Sequence, residues 1–351
     1  MINRWKPSDR IRKPARAMEP VVDAAAWYAK DLDGSEAWIY RLSKDEIAEI
    51  EAAVAGVEKR GLALMDVTHE QFPLPHFSAP LKDILAELMD GRGIAVIRDL
   101  PTEGRSRFQI ACAYWGIGSY LGKPVSQNGQ GHLLGHVRDI GADYTKTRGY
   151  GTSAELAFHC DRCDVAGLLC LHPAKSGGLF RITSSVTLYN EILKQRPDLA
   201  QELLQPFYMT RNAEIKVTET EPFMRLPLFS FHDGYFTARG AGTTVEKAQG
   251  MPGVPKLTEK QKEALAFYRG LALDHHLPNP SEKGDMTFVM NHVTVHSRTE
   301  FEDWPEEDRK RHLLRLWLNN GQRPLSPENK SENVGLVMAR TVLQTPLEVV
   351  A

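Results

Sequence analysis

His159, Asp161 and His296 are the residues of this chain whose types and placement suit metal chemistry. In the segment AFHCDR, the first two are separated by one position. On a strand, side chains at i and i+2 share a face, so the imidazole of His159 and the carboxylate of Asp161 point the same way while Cys160 points oppositely. Two imidazoles and one carboxylate on one side of a metal leave its other positions open. That arrangement suits non-heme Fe(II) activating O2. A His-x-Asp triplet arises readily by chance among 12 histidines, so it needs context. The stretch GDMTFVMNHVTVHSRTEFEDWPEEDRKRHLLRLWL at 284–318 supplies it: a Gly-Asp turn leads a strand into His296, and Arg311 and Arg315 follow. A guanidinium is always charged and presents a planar fork, so an arginine near such a metal suits a dicarboxylate co-substrate.

These residues have to be held by surrounding elements. Ser43 and Glu46 form a capping box ahead of Ile47, Ile50, Val54 and Val57, which predicts a helix over 44–59. A second helix follows Ser78, with Pro80 in its first turn, and stops near Gly91. A third spans 104–121. The apolar run GIAVIRDLP at 93–101 reads as a buried strand. From about residue 125 the texture changes to short strands separated by Gly, Asp and Pro, near 133–139, 155–161, 165–172, 179–183, 227–232, 286–296 and 312–319. Helical insertions at 185–204, divided by Pro197, and at 258–273 interrupt them. Short strands of this kind form a sandwich or jelly roll rather than βαβ units.

The order His159-Cys160-Asp161, SGG at 176–178, GDM, His296 and RHLLRLWL resembles the taurine dioxygenase-like (TauD/TfdA) family of Fe(II)- and 2-oxoglutarate-dependent oxygenases over residues 90–320. The resemblance implies a mainly β fold with helices (α+β), in which a double-stranded β-helix (jelly-roll) core carries N-terminal and inserted helices outside it. It implies that His159, Asp161 and His296 are the iron ligands and that Arg311 binds the distal carboxylate of 2-oxoglutarate. Arg315 matches a second family arginine that reaches the substrate in some members. Members often carry Ser or Thr where this chain has Phe180, so Thr183, Ser184 or a water is expected to take over that co-substrate contact. The cofactors implied are Fe(II), 2-oxoglutarate and O2, with hydroxylation of the substrate coupled to formation of succinate and CO2. Desaturation or ring closure would use the same residues. A carboxylate at Asp161 argues against the halogenating variants, which leave that position small.

Tyr150, in RGY at 148–150, and Arg239, in a Gly-rich stretch, are expected to line the mouth of the site, with a small carboxylate or amino acid as substrate. Two other functions compete. Cys160, Cys163, Cys170 and His172 spell C-x2-C-x6-C-x-H, a structural zinc site in a binding module. A cupin-like metal isomerase or hydrolase would use the same barrel but has no use for Arg311.

The remaining sequence fits a small-molecule enzyme. A length of 351 residues allows two average domains or one enlarged barrel; ligands at 159 and 296 require the C-terminal two-thirds to fold as one unit, and we expect a single domain over 21–351. Within that unit we expect a helical part over 21–90, a core over 91–320 and a C-terminal extension over 321–351, behind a basic arm at 1–20. A net charge of -2, from 43 basic and 45 acidic side chains, gives no drive toward nucleic acid or anionic membrane. No apolar run of membrane-spanning length occurs, and four cysteines fit a cytoplasmic protein. A homo-oligomer is compatible with this composition.

Overall fold

The computed structural model describes residues 4–142, 148–212, 214, 220–240, 242–336 and 341–349. Four strands come first and edge or enter the larger sheet: β1 (Ile39–Arg41), β2 (Ile94–Arg98), β3 (Lys123–Pro124) and β4 (Leu134–Val137). β5 (Leu156–His159), β6 (Val165–His172), β7 (Phe180–Ser184) and β8 (Leu277–Asn279) follow, then β9 (Met286–Met290), β10 (Thr294–Arg298) and β11 (His312–Asn319). The larger sheet has the order β1-β2-β9-β6-β11-β3, with β4 also paired to β11, and the smaller has the order β8-β7-β10-β5. Nearly all pairings are antiparallel, as the strand texture predicts; β1 on β2 is parallel.

Side-chain alternation explains why the sheets face each other. Ile94, Val96, Ala166, Val289 and Trp317 of the larger sheet pack with Phe180, Ile182 and Leu277 of the smaller in one buried cluster. The intervening residues of the same strands, Ala95, Ile97, Phe288 and Leu316, pack outward with helical residues such as Val54, Ile84 and Tyr114. Those helices are α1 (Lys44–Arg60), α2 (Ser78–Asp90) and α3 (Arg107–Ser119). The Ser43–Glu46 capping box forms as expected, with the Glu46 carboxylate accepting from Ser43 N–H at 2.8 Å. The inserted helices are α4 (Ser185–Gln195), α5 (Pro197–Leu203) and α6 (Glu259–Asp274). Pro197 opens α5, where its missing N–H costs nothing. The basic arm runs extended along the molecule: Lys6 N–H donates to Ala37 O, Ser8 N–H to Glu87 and Ala15 N–H to Gly234 O.

Two expectations need correction. The run 286–296 is two strands, because the chain leaves the larger sheet after Met290 and enters the smaller at Thr294. The turn between them is polar and buried. Asn291 Oδ1 accepts the Asp161 N–H at 2.9 Å, Asn291 Nδ2 donates to Cys163 O, and His292 Nε2 reaches Asp164 at 2.9 Å. Likewise, β5 ends at His159, so Asp161 sits beyond its strand and is aimed by that turn rather than by the pleat.

Asp164 is the junction of this region. Its carboxylate accepts from His292, from Asn333 Nδ2 at 2.6 Å, and from the backbone N–H groups of Asn320 and Gly321 at 2.9 and 3.1 Å. Asp164→Ala leaves four donors without this acceptor and should cost at least about 3 kcal/mol. Denaturant unfolding measures it, and a loss below about 1 kcal/mol contradicts the role.

Candidate metal centre

His296 and His159 are directly opposed across β10 and β5, so one cross-strand pair delivers both imidazoles to the same face. Their ring centroids lie 4.4 Å apart. Asp161 completes the set: one ligand atom from each of the three residues falls within 4.8 Å of the others, and no other such group occurs among the described residues. The His159 Nδ1–H donates to Ala157 O at 2.8 Å, which fixes the neutral tautomer and leaves Nε2 with its lone pair for a metal. His296 Nε2 faces Asp161 Oδ2 at 3.9 Å.

The electrostatics match a cation-binding state. Burial lowers the pKa of both imidazoles, that of His296 to about 3, with His159 next to it adding to the effect. Burial alone would raise Asp161, but Arg315 and the two imidazoles override it and hold the carboxyl at about 2. Two neutral imidazoles and one carboxylate are the protonation states that a divalent metal requires. The donor set fits Fe(II).

Arg311 lies at the start of β11, 5% exposed, with its guanidinium over the Phe301 ring at 5.1 Å. Its Nη1 is buried and has no hydrogen-bond partner among the described residues. Burial lowers its pKa to about 10, which leaves it a cation at neutral pH. Gly178 makes room for it: φ is +67°, and a Cβ there would sit 3.0 Å from Arg311 Nε. A buried cation with an open donor is what the distal carboxylate of 2-oxoglutarate would satisfy.

Neither hydroxyl expected to join that contact is placed for it. Thr183 lies next to Ile182, the residue paired with His296, and therefore on the opposite face of β7; its hydroxyl donates to Ala272 O of α6 at 2.8 Å. Ser184 caps α4 and donates to Ala25 O. Phe180 instead packs its ring against His296 at 5.2 Å. The position where a small hydroxyl residue is expected thus presents a ring packed on the second imidazole.

A cavity of about 140 Å³ opens beside the triad, lined by His159, Asp161, Arg315, Tyr150 and Arg239 among others. Arg315 faces the ligand carboxylate. Its Nη1 is 3.7 Å from Asp161 Oδ1, its Nε donates to Gln127 Oε1 at 2.6 Å, and its guanidinium stacks over Tyr150. Gln127 Nε2 also donates to Arg315 O at 3.0 Å, so one amide holds both ends of the residue. Arg239 reaches the cavity because Gly240 and Gly242 lie against residues 158–160. Gly242 N–H donates to Phe158 O, and Gly240 N–H donates to Cys160 Sγ at 3.2 Å. The structure therefore brings together His159, Asp161, His296, Arg315, Tyr150 and Arg239, and leaves Thr183 outside.

The cysteine-histidine reading does not converge. Cys160 Sγ donates to Thr294 O, Cys163 Sγ to Val165 O and Cys170 Sγ to Ser281 O, so each thiol is used in local packing. His172 is paired in register with His312 at the far end of β6. Gln127, Arg148, Arg162 and Asn291 also belong to the site or its support. Arg162 follows Asp161 directly and was open to notice; Gln127 and Asn291 had no signal beyond their polar type.

A profile of the taurine catabolism dioxygenase TauD, TfdA family matches residues 58–317. The FR-33289 synthase of Streptomyces rubellomurinus is 32% identical over 318 residues, 87% of this chain and 92% of that protein. The taurine hydroxylase-like protein SAT17 of Stachybotrys chartarum is 28% identical over 309 residues, 84% of this chain and 78% of that one. Among solved structures, an asparagine oxygenase in complex with Fe(II), 2S,3S-3-hydroxyasparagine and succinate superposes with a TM-score of 0.63 at 18% identity, covering 86% of this chain and 99% of its own. The non-heme iron oxygenase OrfP in complex with Fe gives 0.60 at 17%, covering 85% and 99%. At these identities the structures show a common fold.

A Cβ at Gly240 would lie 2.8 Å from the His159 carbonyl carbon and 2.9 Å from Cys160 N. Gly240→Ala should push the two segments apart, cost roughly 1–3 kcal/mol of stability and weaken Fe(II) binding about tenfold. Thermal unfolding and an anaerobic metal titration check this; wild-type values in both contradict it.

Proposed function

This chain belongs to the taurine catabolism dioxygenase TauD, TfdA family of Fe(II)- and 2-oxoglutarate-dependent oxygenases, and from that premise we propose that it hydroxylates a C–H bond of a small carboxylate or amino acid derivative. The observation that carries the substrate class is the pair of buried guanidiniums, Arg315 and Arg239, that line the cavity together with His159 and Asp161. We assign His159 Nε2, His296 Nε2 and the Asp161 carboxylate to Fe(II), and Arg311 to the distal carboxylate of 2-oxoglutarate. Bound Fe(II) with 2-oxoglutarate would activate O2, one oxygen atom entering succinate as CO2 leaves and the other entering the product, so that C–H becomes C–OH.

The protein's own part is orientation and dryness. Gln127 fixes Arg315 beside Asp161, so the cavity carries a positive charge held close to the metal face. Tyr150 flanks the same guanidinium. Phe180 and Ile182 close the inner side with apolar surface, which strengthens charge interactions within. Arg311 stays cationic in its buried position, so charge neutralisation favours binding of the co-substrate. All four cysteines are unpaired, which supports a reducing, cytoplasmic setting, and no described helix is long and apolar enough to cross a membrane.

Succinate release tests the reading. Protein with Fe(II), ascorbate, O2 and 2-oxoglutarate should form succinate slowly alone and faster with one member of a panel of small carboxylates and amino acids. Arg311→Ala should raise the KM for 2-oxoglutarate by about tenfold to a hundredfold. Arg315→Ala should raise it less while weakening the stimulating substrate. No succinate from the wild type contradicts the reaction, and the reverse ranking moves the co-substrate to Arg315.

A further inference from the structure

Glu332, the last residue of α7 (Pro327–Glu332), binds arginines that line the cavity. This helix lies beyond the family-wide match, which ends at residue 317. Glu332 is 6% exposed and receives a bidentate fork from Arg211, with Nη1 and Nη2 at 2.9 and 2.8 Å. Arg162 Nη2 also donates to it. One carboxylate thus holds two guanidiniums in fixed positions.

Two of the arginines around it line the cavity. Arg162 is 7% exposed and lines the cavity; its Nε is buried and meets no acceptor among the described residues. Arg239 is 5% exposed and forms no ion pair with a described carboxylate. Its side chain makes one long hydrogen bond, from Nη2 to the Glu332 carbonyl at 3.4 Å. A buried guanidinium without a counter-charge is costly, and an anion in the cavity would relieve that cost. Both residues are fixed next to the iron ligands: Arg162 follows Asp161, and Arg239 precedes the glycine that packs on His159.

We propose that Arg162 and Arg239 form the receptor for an oxyanion group of the primary substrate, and that Glu332 of the C-terminal extension positions them. This rests on the reading that the cavity beside the triad is the substrate site. The oxyanion is a carboxylate, sulfonate or phosphonate, all of which accept several N–H donors on one delocalised charge. Arg311 keeps the co-substrate, so the two anions sit on separate guanidiniums. The extension becomes part of the specificity apparatus rather than a passive tail.

The test uses the full-length protein loaded anaerobically with Fe(II) and 2-oxoglutarate, titrated with propionate, ethanesulfonate and ethylphosphonate by calorimetry. One probe should bind saturably and tighter than the others, which names the class. Arg162→Ala and Arg239→Ala should each raise its Kd at least about tenfold. Glu332→Gln should do the same and Glu332→Asp should recover most of the loss, while all four variants keep the visible band of the Fe(II)–2-oxoglutarate complex. A merely structural role for Glu332 would lower the band and the probe affinity together, and that result overturns the positioning claim. The receptor claim fails if no probe saturates, or if Arg162→Ala and Arg239→Ala bind it like wild type while Arg315→Ala does not. A wild-type protein without the Fe(II)–2-oxoglutarate band would instead remove the function on which the inference rests.

Discussion

The 2.9 Å hydrogen bond from Asp161 N–H to Asn291 Oδ1 is the contact on which the geometry of the metal face depends. His159 and His296 stand 137 positions apart in the chain, and cross-strand pairing brings their rings together. Pairing alone does not place the carboxylate, because Asp161 lies past the end of β5. The turn at 291–293 does so. By crossing from the larger sheet to the smaller beside residues 161–164, it ties the carboxylate ligand to the strand that carries the second imidazole. Rearranging that turn would move one ligand relative to the other two, and a metal site tolerates little of that.

Charge is arranged around this face in separate compartments. Burial keeps the imidazoles neutral and Arg315 keeps Asp161 ionised, so the site is ready for a dication without reorganising its protons. Arg311 stands apart over Phe301, and Arg162 and Arg239 gather at Glu332. The near-neutral overall charge of -2 hides this, since local guanidiniums are offset by acids elsewhere on the surface. Attraction of a small anion is therefore a property of one cavity and not of the whole molecule.

Much of this was legible in the sequence because it follows local rules. The capping box at Ser43 forms, Pro197 divides the first helical insertion, and the strands at 165–172 and 312–319 fall where their apolar runs lie. The ligand triad was readable because its residue types are rare together at that order. What escaped was set by tertiary contact. A continuous apolar run at 286–296 does not announce a change of sheet, since the bend is made by side-chain bonds from Asn291 and His292 to a distant segment. Thr183 looked available because hydroxyl chemistry is visible in a sequence while strand face is not, and a single position decides it. Glu332 lies in a short helix with no pattern to mark it, and its meaning comes only from the arginines it meets.

The central claim is that His159, Asp161 and His296 hold Fe(II) with open positions for 2-oxoglutarate. Anaerobic addition of 2-oxoglutarate to the Fe(II)-loaded protein measures it directly through the weak visible charge-transfer band of the chelate. The account predicts a saturable band in the wild type that is lost in a folded Asp161→Ala protein. A folded Asp161→Ala protein with the wild-type band would contradict it.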